Sequence, residues 1–324
     1  MSTSHHPSFD LVPSDMKDAI AKFHSEAKQI IDSFLTTLES YQPPPIVYHY
    51  TNDAGLRGIL QSGRIWLTDI FALNDPSELR HGLSRATIIL SEKAANGPPE
   101  SKLFATDFAA LNKALNQSAH YFVCSFSEAG DDLGQWRAYA DNGRGYALGF
   151  STQALEAAFG KGSQSPTSNN AAFPVTYDDS TLDGIQRQLV ERMFSLISLP
   201  RGRNLSKDAL GAYMVELSVA LAANALHAVL FFKHEAYSNE KEYRFLEVHR
   251  ADAAPAIKLR SRPYRLIRYR EFDWKAADPT ALRRIVIGPA ADRETGRRFA
   301  EDCLREFVPG EVEIVSSLIP YRPG

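Results

Sequence analysis

Cysteine is nearly absent. Of 324 residues only Cys124 and Cys303 carry a thiol, far apart and with no C-x-x-C spacing. That excludes a disulfide framework and a cysteine-based zinc site. An excess of charge of one sign is missing too: 36 Lys and Arg stand against 39 Asp and Glu, for a net charge of −3. The chain as a whole therefore lacks the basic footprint of a nucleic-acid binder, although a local basic groove stays open. No apolar run approaches the roughly 18 residues of a membrane span. The longest, residues 219–232, contains Asn224 and His227 and stops at Lys233. The opening MSTSHHPSFDLVPSD has no apolar core of the kind a secretion signal carries. The phosphate-binding patterns G-x-G-x-x-G and G-x-x-x-x-G-K-[ST] do not occur, nor does the G-x-S-x-G of a nucleophile elbow. The expectation from these absences is a soluble cytoplasmic protein with no membrane partner.

What is present is enough apolar sequence, 44% of residues, to build a substantial core. Residues 14–40 show helical apolar spacing behind a Ser14 cap, and Pro43, Pro44 and Pro45 end the run. Residues 1–42 thus read as an N-terminal helical extension, packing on the body or, in a homodimer, on a second subunit. Residues 46–50 read as a strand. Thr51, Asn52 and Asp53 cap a helix over 54–61 that Gly63 closes, and a second strand covers 64–68. Helices fit 77–95, 103–117, 131–139, 181–198, 206–232 and 292–307. Strands fit 121–126, 145–150, 256–260, 264–269, 284–288 and 312–315, while the polar stretch 160–172 reads as a loop. The two kinds of element do not alternate regularly. The fold class is therefore α+β, with mixed, mostly antiparallel sheets and flanking helices. Residues 43–324 read as a single α+β domain with helical insertions at about 77–118 and 181–233.

Several groupings of polar residues carry chemistry, each with a plain structural reading beside it. The stretch EAYSNEKEYRFLEV, residues 235–248, holds Glu240, Glu242 and Arg244 at alternate positions. A strand beginning near Glu240 would put all three on one face. Amid Phe231, Phe232, Tyr243, Phe245 and Leu246, carboxylates there would be partly desolvated, as at functional sites; an ordinary ion pair on a solvated face is the alternative. His49, in Tyr48-His49-Tyr50-Thr51, ends a strand just before a capped helix and can hold a ligand hydroxyl or phosphate, or be satisfied by backbone groups. Ser125 and Ser127 flank Phe126 at a strand end, where small hydroxyls orient a neighbouring acid or simply start a turn. Trp136 and Tyr139 are helical neighbours able to sandwich a planar ring, or to serve as core. Asp75, Glu78 and His81 share a helix face but lack the spacing of H-E-x-x-H; surface charge is the plain reading and a metal-dependent nuclease the sharper one. Arg260, Arg262, Arg265, Arg268 and Arg270 form a basic stripe that strand alternation would split between faces, with ordinary solvated surface as the alternative.

Taken together, YHYT, GILQSGRIWLTD, LNDPSE, CSFSE, DDLGQWRAYADNGRGYALGF, FKHEAYSNEKEYRF, IVIGP and IPYR resemble a bacterial family known as domain of unknown function family 2971. They run from about residue 47 to residue 322, most of the chain. More distantly, the order of a first-strand histidine, a short helix, a second strand, S-F-S and then E-x-E is similar to ADP-ribosyltransferases. H-Y-T replaces the more usual H-G-[ST], and Phe126 stands in the middle of the serine motif. That resemblance implies an ADP-ribosyltransferase-like core and NAD as substrate. It implies Glu242 and Glu240 as catalytic residues: Glu242 stabilises the ribose cation and Glu240 activates the acceptor. It implies His49, Tyr50, Thr51, Ser125, Ser127, Trp136, Tyr139 and Arg244 around the dinucleotide. The activity implied is NAD-dependent ADP-ribosyl transfer to an unknown protein or nucleic acid acceptor, or NAD hydrolysis, in a toxin or phage-defence setting. The competing expectation is a non-catalytic sensing or interaction module in which the acidic strand is structural.

Overall fold

The computed structural model describes residues 7–73, 77–111, 119–163, 168–250, 256–308 and 310–322. In chain order its first half holds α1 (Ser14–Glu39), β1 (Ile46–Thr51), α2 (Asp53–Ser62), β2 (Arg64–Asp69), α3 (Ser77–Ala95), α4 (Pro99–Leu111), β3 (Ala119–Ser127), α5 (Leu133–Tyr139) and β4 (Tyr146–Ser151). The second half holds α6 (Thr152–Phe159), β5 (Ser168–Pro174), α7 (Asp179–Ile197), α8 (Lys207–Val229), β6 (Glu242–Arg250), β7 (Lys258–Arg262), β8 (Arg265–Asp273), β9 (Leu282–Ile287), α9 (Arg293–Phe307) and β10 (Glu313–Ser316). The fold is mixed α+β with a mostly antiparallel sheet.

Two compact units divide the chain. One comprises Met1–Ser40, Asn74–Ala119 and Thr176–Glu235, the other Tyr41–Leu73, His120–Val175 and Ala236–Gly324. The first is a bundle of α1, α3, α4, α7 and α8. Helix α1 buries Met16, Ile20, Phe23, Ala27 and Ile31, the one-face spacing of an amphipathic helix. Its cap differs from the expected one: Pro13 precedes the helix, no side chain caps it, and Ser14 is already helical. Helix α8 is long and apolar enough to cross a membrane by length and composition alone. Most of its apolar residues, Leu217, Leu221, Ala225 and Leu226 among them, are buried, as in the central helix of a bundle, while Leu210 and Val215 are exposed.

The second unit carries the sheet, in the order β10-β9-β4-β1-β3-β2-β8-β7, with β6 paired to β3 and β5. Among the registered pairs only β10 and β9 run parallel. Local chemistry sets the ends of α2 as the sequence implies: the Asn52 side chain accepts from the Gly55 N–H, and Gly63 closes the helix at φ 67°. Two elements depart from the sequence reading. Residues 168–174 form β5 rather than a loop, because their backbone pairs with β6, Ala172 opposite Phe245. Helix α6, capped by Ser151, follows β4 directly where no helix was expected. In both, tertiary partners outweigh a weak local signal.

On one face of the sheet Phe245 is fully buried, its ring against Phe126 and Phe159 at 5.2 Å each. Phe150, Phe272, Trp274, Leu148 and Ile285 join the same core. Truncating such a side chain removes its transfer energy and leaves a cavity. Phe245→Ala is expected to lower unfolding free energy by about 3–5 kcal/mol in urea titrations; a loss below about 1 kcal/mol would mean the site collapses around the gap.

Candidate functional site

Strand β6 begins at Glu242, two residues later than an unbroken alternation from Glu240 requires. Glu240 instead ends a 3-10 turn over Glu235–Glu240, and Lys241 sits between them at φ 44°. The expectation that Glu240, Glu242 and Arg244 share one strand face is thus corrected: Glu242 and Arg244 do, and Glu240 stands on the turn before them. The neighbouring strand holds that turn in place. Ser127 Oγ donates to the Glu240 carbonyl at 2.7 Å, and the Glu128 N–H donates to the Lys241 carbonyl at 2.9 Å.

Glu242 and Arg244 are 4% and 2% exposed. Arg244 Nε donates to Glu242 Oε1 at 2.6 Å, and the same oxygen accepts from Ser125 Oγ at 2.5 Å. Ser125 itself is exposed. A buried carboxylate is thereby joined to a solvent-facing hydroxyl on the adjacent strand. Its charge also reaches Cys124, whose thiol is pushed well above its usual range by burial first and by Glu242 second. That cysteine is unreactive at neutral pH.

His49 approaches from the other direction. Strands β1 and β3 pair only at Tyr48 and Ser127. Beyond that point they part, and His49 Nδ1 lies 3.4 Å from the Ser125 carbonyl oxygen, its ring 5.6 Å from that of Phe126. Alternation along β1 sends His49 and Thr51 to the core face, opposite Leu148 and Tyr146. Tyr50 goes to the opposite face, the one that carries the Ser125, Ser127, Glu242 and Arg244 side chains. Thr51 lies over the first turn of α2, where a Cβ on Gly55 would meet its Oγ1 at 1.8 Å.

The remaining expected residues divide between support and surface. Tyr50 is buried, and its hydroxyl donates to the Ala129 carbonyl at 2.7 Å and accepts from the Asp132 N–H at 3.2 Å. Burial pushes its phenol above the usual range. Trp136 is fully buried, edge-on to Tyr50 with centroids 4.8 Å apart, and its Nε1 donates to Asp131 Oδ1 at 2.7 Å. It cannot sandwich a ligand ring. Tyr139, 41% exposed, places its hydroxyl 3.1 Å from Glu240 Oε1 and is the aromatic open to solvent here. Gly134 lets α5 approach the turn: a Cβ there would meet Asn239 Nδ2 at 2.7 Å. Sequence reasoning missed the role of Asp131, which accepts from Ser317 Oγ at 2.6 Å and the Leu318 N–H at 3.0 Å and so ties the last described segment to the site. It also missed Glu247, gripped by Arg270 at 2.6 and 3.2 Å; the two are 23 residues apart and no local spacing links them. Of the expected metal cluster, Asp75 and the side chains of Glu78 and His81 lie outside the described residues.

Desolvation lowers the pKa of His49 below 6.5, with a smaller opposing effect from the Ser125 carbonyl. The unfolded chain therefore takes up this proton first as pH falls. The stabilising contribution is complete above the unfolded value of about 6.5 and is lost as pH drops through the window below it. His120 and His227 are shifted in the same direction by burial. The wild type is expected to melt at a lower temperature at about pH 5 than at pH 7.5, and His49→Asn to show a smaller difference between the two. An unchanged difference would mean that His49 titrates normally in the folded protein.

A family model described as a protein of unknown function (DUF2971) matches residues 135–245, from the first turn of α5 into β6. The matched span contains Tyr139, Glu240, Glu242 and Arg244. No curated protein and no solved structure matches the chain. The match supports the resemblance to the domain of unknown function family.

Proposed function

We propose that the protein cleaves the nicotinamide–ribose bond of NAD, as an ADP-ribosyltransferase or an NAD glycohydrolase. The observation that carries this reading is the shared oxygen of Glu242, held at once by Arg244 and by the exposed Ser125 hydroxyl. An ADP-ribosyltransferase-like core calls for a histidine, a serine motif and a late glutamate on adjoining strands. Here β1, β3 and β6 supply them, β3 pairing with both others.

In this reading the glycosidic bond to nicotinamide breaks with its electron pair, nicotinamide leaves neutral, and positive charge develops on the ribose. Glu242 sets a fixed negative charge beside that cation, in surroundings where charge interactions are weakly screened. Arg244 and Ser125 keep its carboxylate in one orientation. Glu240, outside the strand and beside the exposed Tyr139, takes the proton from an attacking water or acceptor hydroxyl. Tyr139 offers a face for the nicotinamide ring, while His49, on the core face of β1, lies across the sheet from Glu242 and reaches the Ser125 carbonyl instead of the ribose. Wild-type protein incubated with NAD is expected to release nicotinamide, followed by chromatography, and folded Glu242→Gln to release it at least about 100-fold more slowly. Equal rates in the two proteins would remove Glu242 from the chemistry.

The near-complete burial of Glu242 and Arg244 favours a second reading, in which the pair is structural in a non-catalytic sensing or interaction module. That reading expects Glu242→Gln to lower the melting temperature with no turnover to lose.

A further inference from the structure

The core face of the sheet turns polar where β2 ends and β3 begins. Leu67, Phe122, Phe245 and Phe272 belong to the apolar core. The registers set Asp69 opposite Phe122 and Leu67 opposite Arg270. Alternation then brings Asp69, His120, Glu247, His249, Arg268 and Arg270 to that same face. They form two groups of one arginine, one carboxylate and one histidine. Arg268 Nε donates to Asp69 Oδ2 at 2.8 Å, and its Nη2 lies 3.0 Å from His120 Nδ1. The same guanidinium is 6.0 Å over the Phe122 ring. Arg270 grips Glu247, and His249 Nε2 lies 3.1 Å from Glu247 Oε1, off the line of a hydrogen bond.

The first group fixes a protonation state. A guanidinium only donates, so His120 Nδ1 accepts, and the imidazole is neutral with its proton on Nε2. A protonated ring carries donors on both nitrogens and would meet Arg268 with repulsion. A proton on His249 would instead face the Glu247 carboxylate. Burial first, and then the charge of Arg268, hold the pKa of His120 below 6.5; Asp69 opposes them and His249 adds to them. Facing His120 are thus Asp69 from β2, Arg268 from β8 and His249 from β6, and His249 in turn meets Glu247 and, through it, Arg270.

What the first group holds is a hairpin. Strand β7 is last in the strand order, and β2 pairs with β8 only over Tyr269–Asp273. The pairs from Leu259 with Arg268 to Arg262 with Arg265 lie beyond that stretch, as a ribbon of two strands. Such a ribbon is marginally stable by itself. Ile267 is buried and Arg260 bonds Thr68, but Leu259, Tyr264 and Leu266 are exposed. Arg268 stands where the ribbon leaves β2 and reaches back to β2 and β3 at once.

We propose that His120, Arg268 and Asp69 form an acid-sensitive clasp, and that protonation of His120 loosens the β7–β8 hairpin from the end of the sheet. The open hairpin leaves His120 in water, where it takes up a proton first as pH falls. The closed form is therefore favoured in full above the value in water, about 6.5, and loses ground as pH drops through the window below it. The inference is independent of the NAD reading, since Glu242 and Ser125 lie on the other face of the sheet.

The test is amide hydrogen exchange of the full chain, read by mass spectrometry at about pH 7.5 and about pH 5 and corrected for intrinsic rates. Protection of residues 258–268 in the wild type is expected to fall at least about fivefold at the lower pH. His120→Gln keeps an acceptor for Arg268 that does not titrate, so its hairpin should lose less than about twofold. His227→Gln removes a histidine of the helical unit that burial shifts in the same direction, and should keep the full wild-type fall. An unchanged wild type would overturn the proposal, as would a fall in folded His120→Gln as large as in the wild type. Loss of the fall in His227→Gln as well would overturn it in favour of global unfolding. A further measurement needs no variant: nitrogen NMR of the wild type at about pH 7.5 should place the His120 proton on Nε2. A proton on Nδ1 there would overturn the clasp.

Discussion

A carboxylate taken out of water needs a counter-charge and hydrogen bonds, and the site is built around meeting that demand for Glu242. Alternation along β6 supplies the nearest answer, since position i+2 returns to the same face and carries Arg244. Pairing of β6 with β3 supplies the second, bringing Ser125 to the same oxygen. Such a pair is a weak source of net stability, because desolvating both ions offsets most of their attraction. What it fixes is position. The carboxylate has one orientation, with a solvent-facing hydroxyl directly attached to it.

The rest of the site follows from where strands stop pairing. Lys241, at positive φ, turns the chain so that Glu240 leaves the strand, and Ser127 and Glu128 hold that turn to the end of β3. The parting of β1 and β3 after Tyr48 and Ser127 leaves the Ser125 carbonyl to His49. One carboxylate is thus nearly dry and firmly held while the other, two residues earlier, is half-buried beside an exposed tyrosine. Distinct environments for two neighbouring acids are what separate roles require. The same alternation governs the far end of the sheet, where Arg268 and Arg270 turn to Asp69 and Glu247 and Arg260 turns to the other face, over the Trp66 ring.

Much of this was legible in the residues. The Asn52 cap, the Gly63 stop and the β3 strand are local signals, and local physics placed them. Glu242 and Arg244 were readable as face-sharing because period-two spacing needs no tertiary knowledge. Glu240 was not, since the positive φ of Lys241 has no glycine to announce it. Strand β5 was hidden for a related reason: SNNAA has little strand preference, and only its pairing with β6 makes it one. Trp136 looked like a ring-stacking residue because spacing reports which residues are neighbours on a helix. Burial decides which of them meets solvent, and burial is a property of the whole fold. The grip of Arg270 on Glu247 joins β8 to β6, which are not hydrogen-bonded neighbours, so only the folded sheet brings the two residues together.

If the buried pair exists for chemistry, apolar residues of similar size should replace it without loss of fold. The deciding measurement is therefore made on the double variant Glu242→Met with Arg244→Met, scored for melting temperature and for NAD uptake by calorimetry beside the wild type. The account predicts a variant that melts at or above the wild-type temperature, as apolar replacements of buried ion pairs often do, and that takes up no NAD while the wild type does. A variant that melts far below the wild type, or a wild type that takes up no NAD, would contradict it.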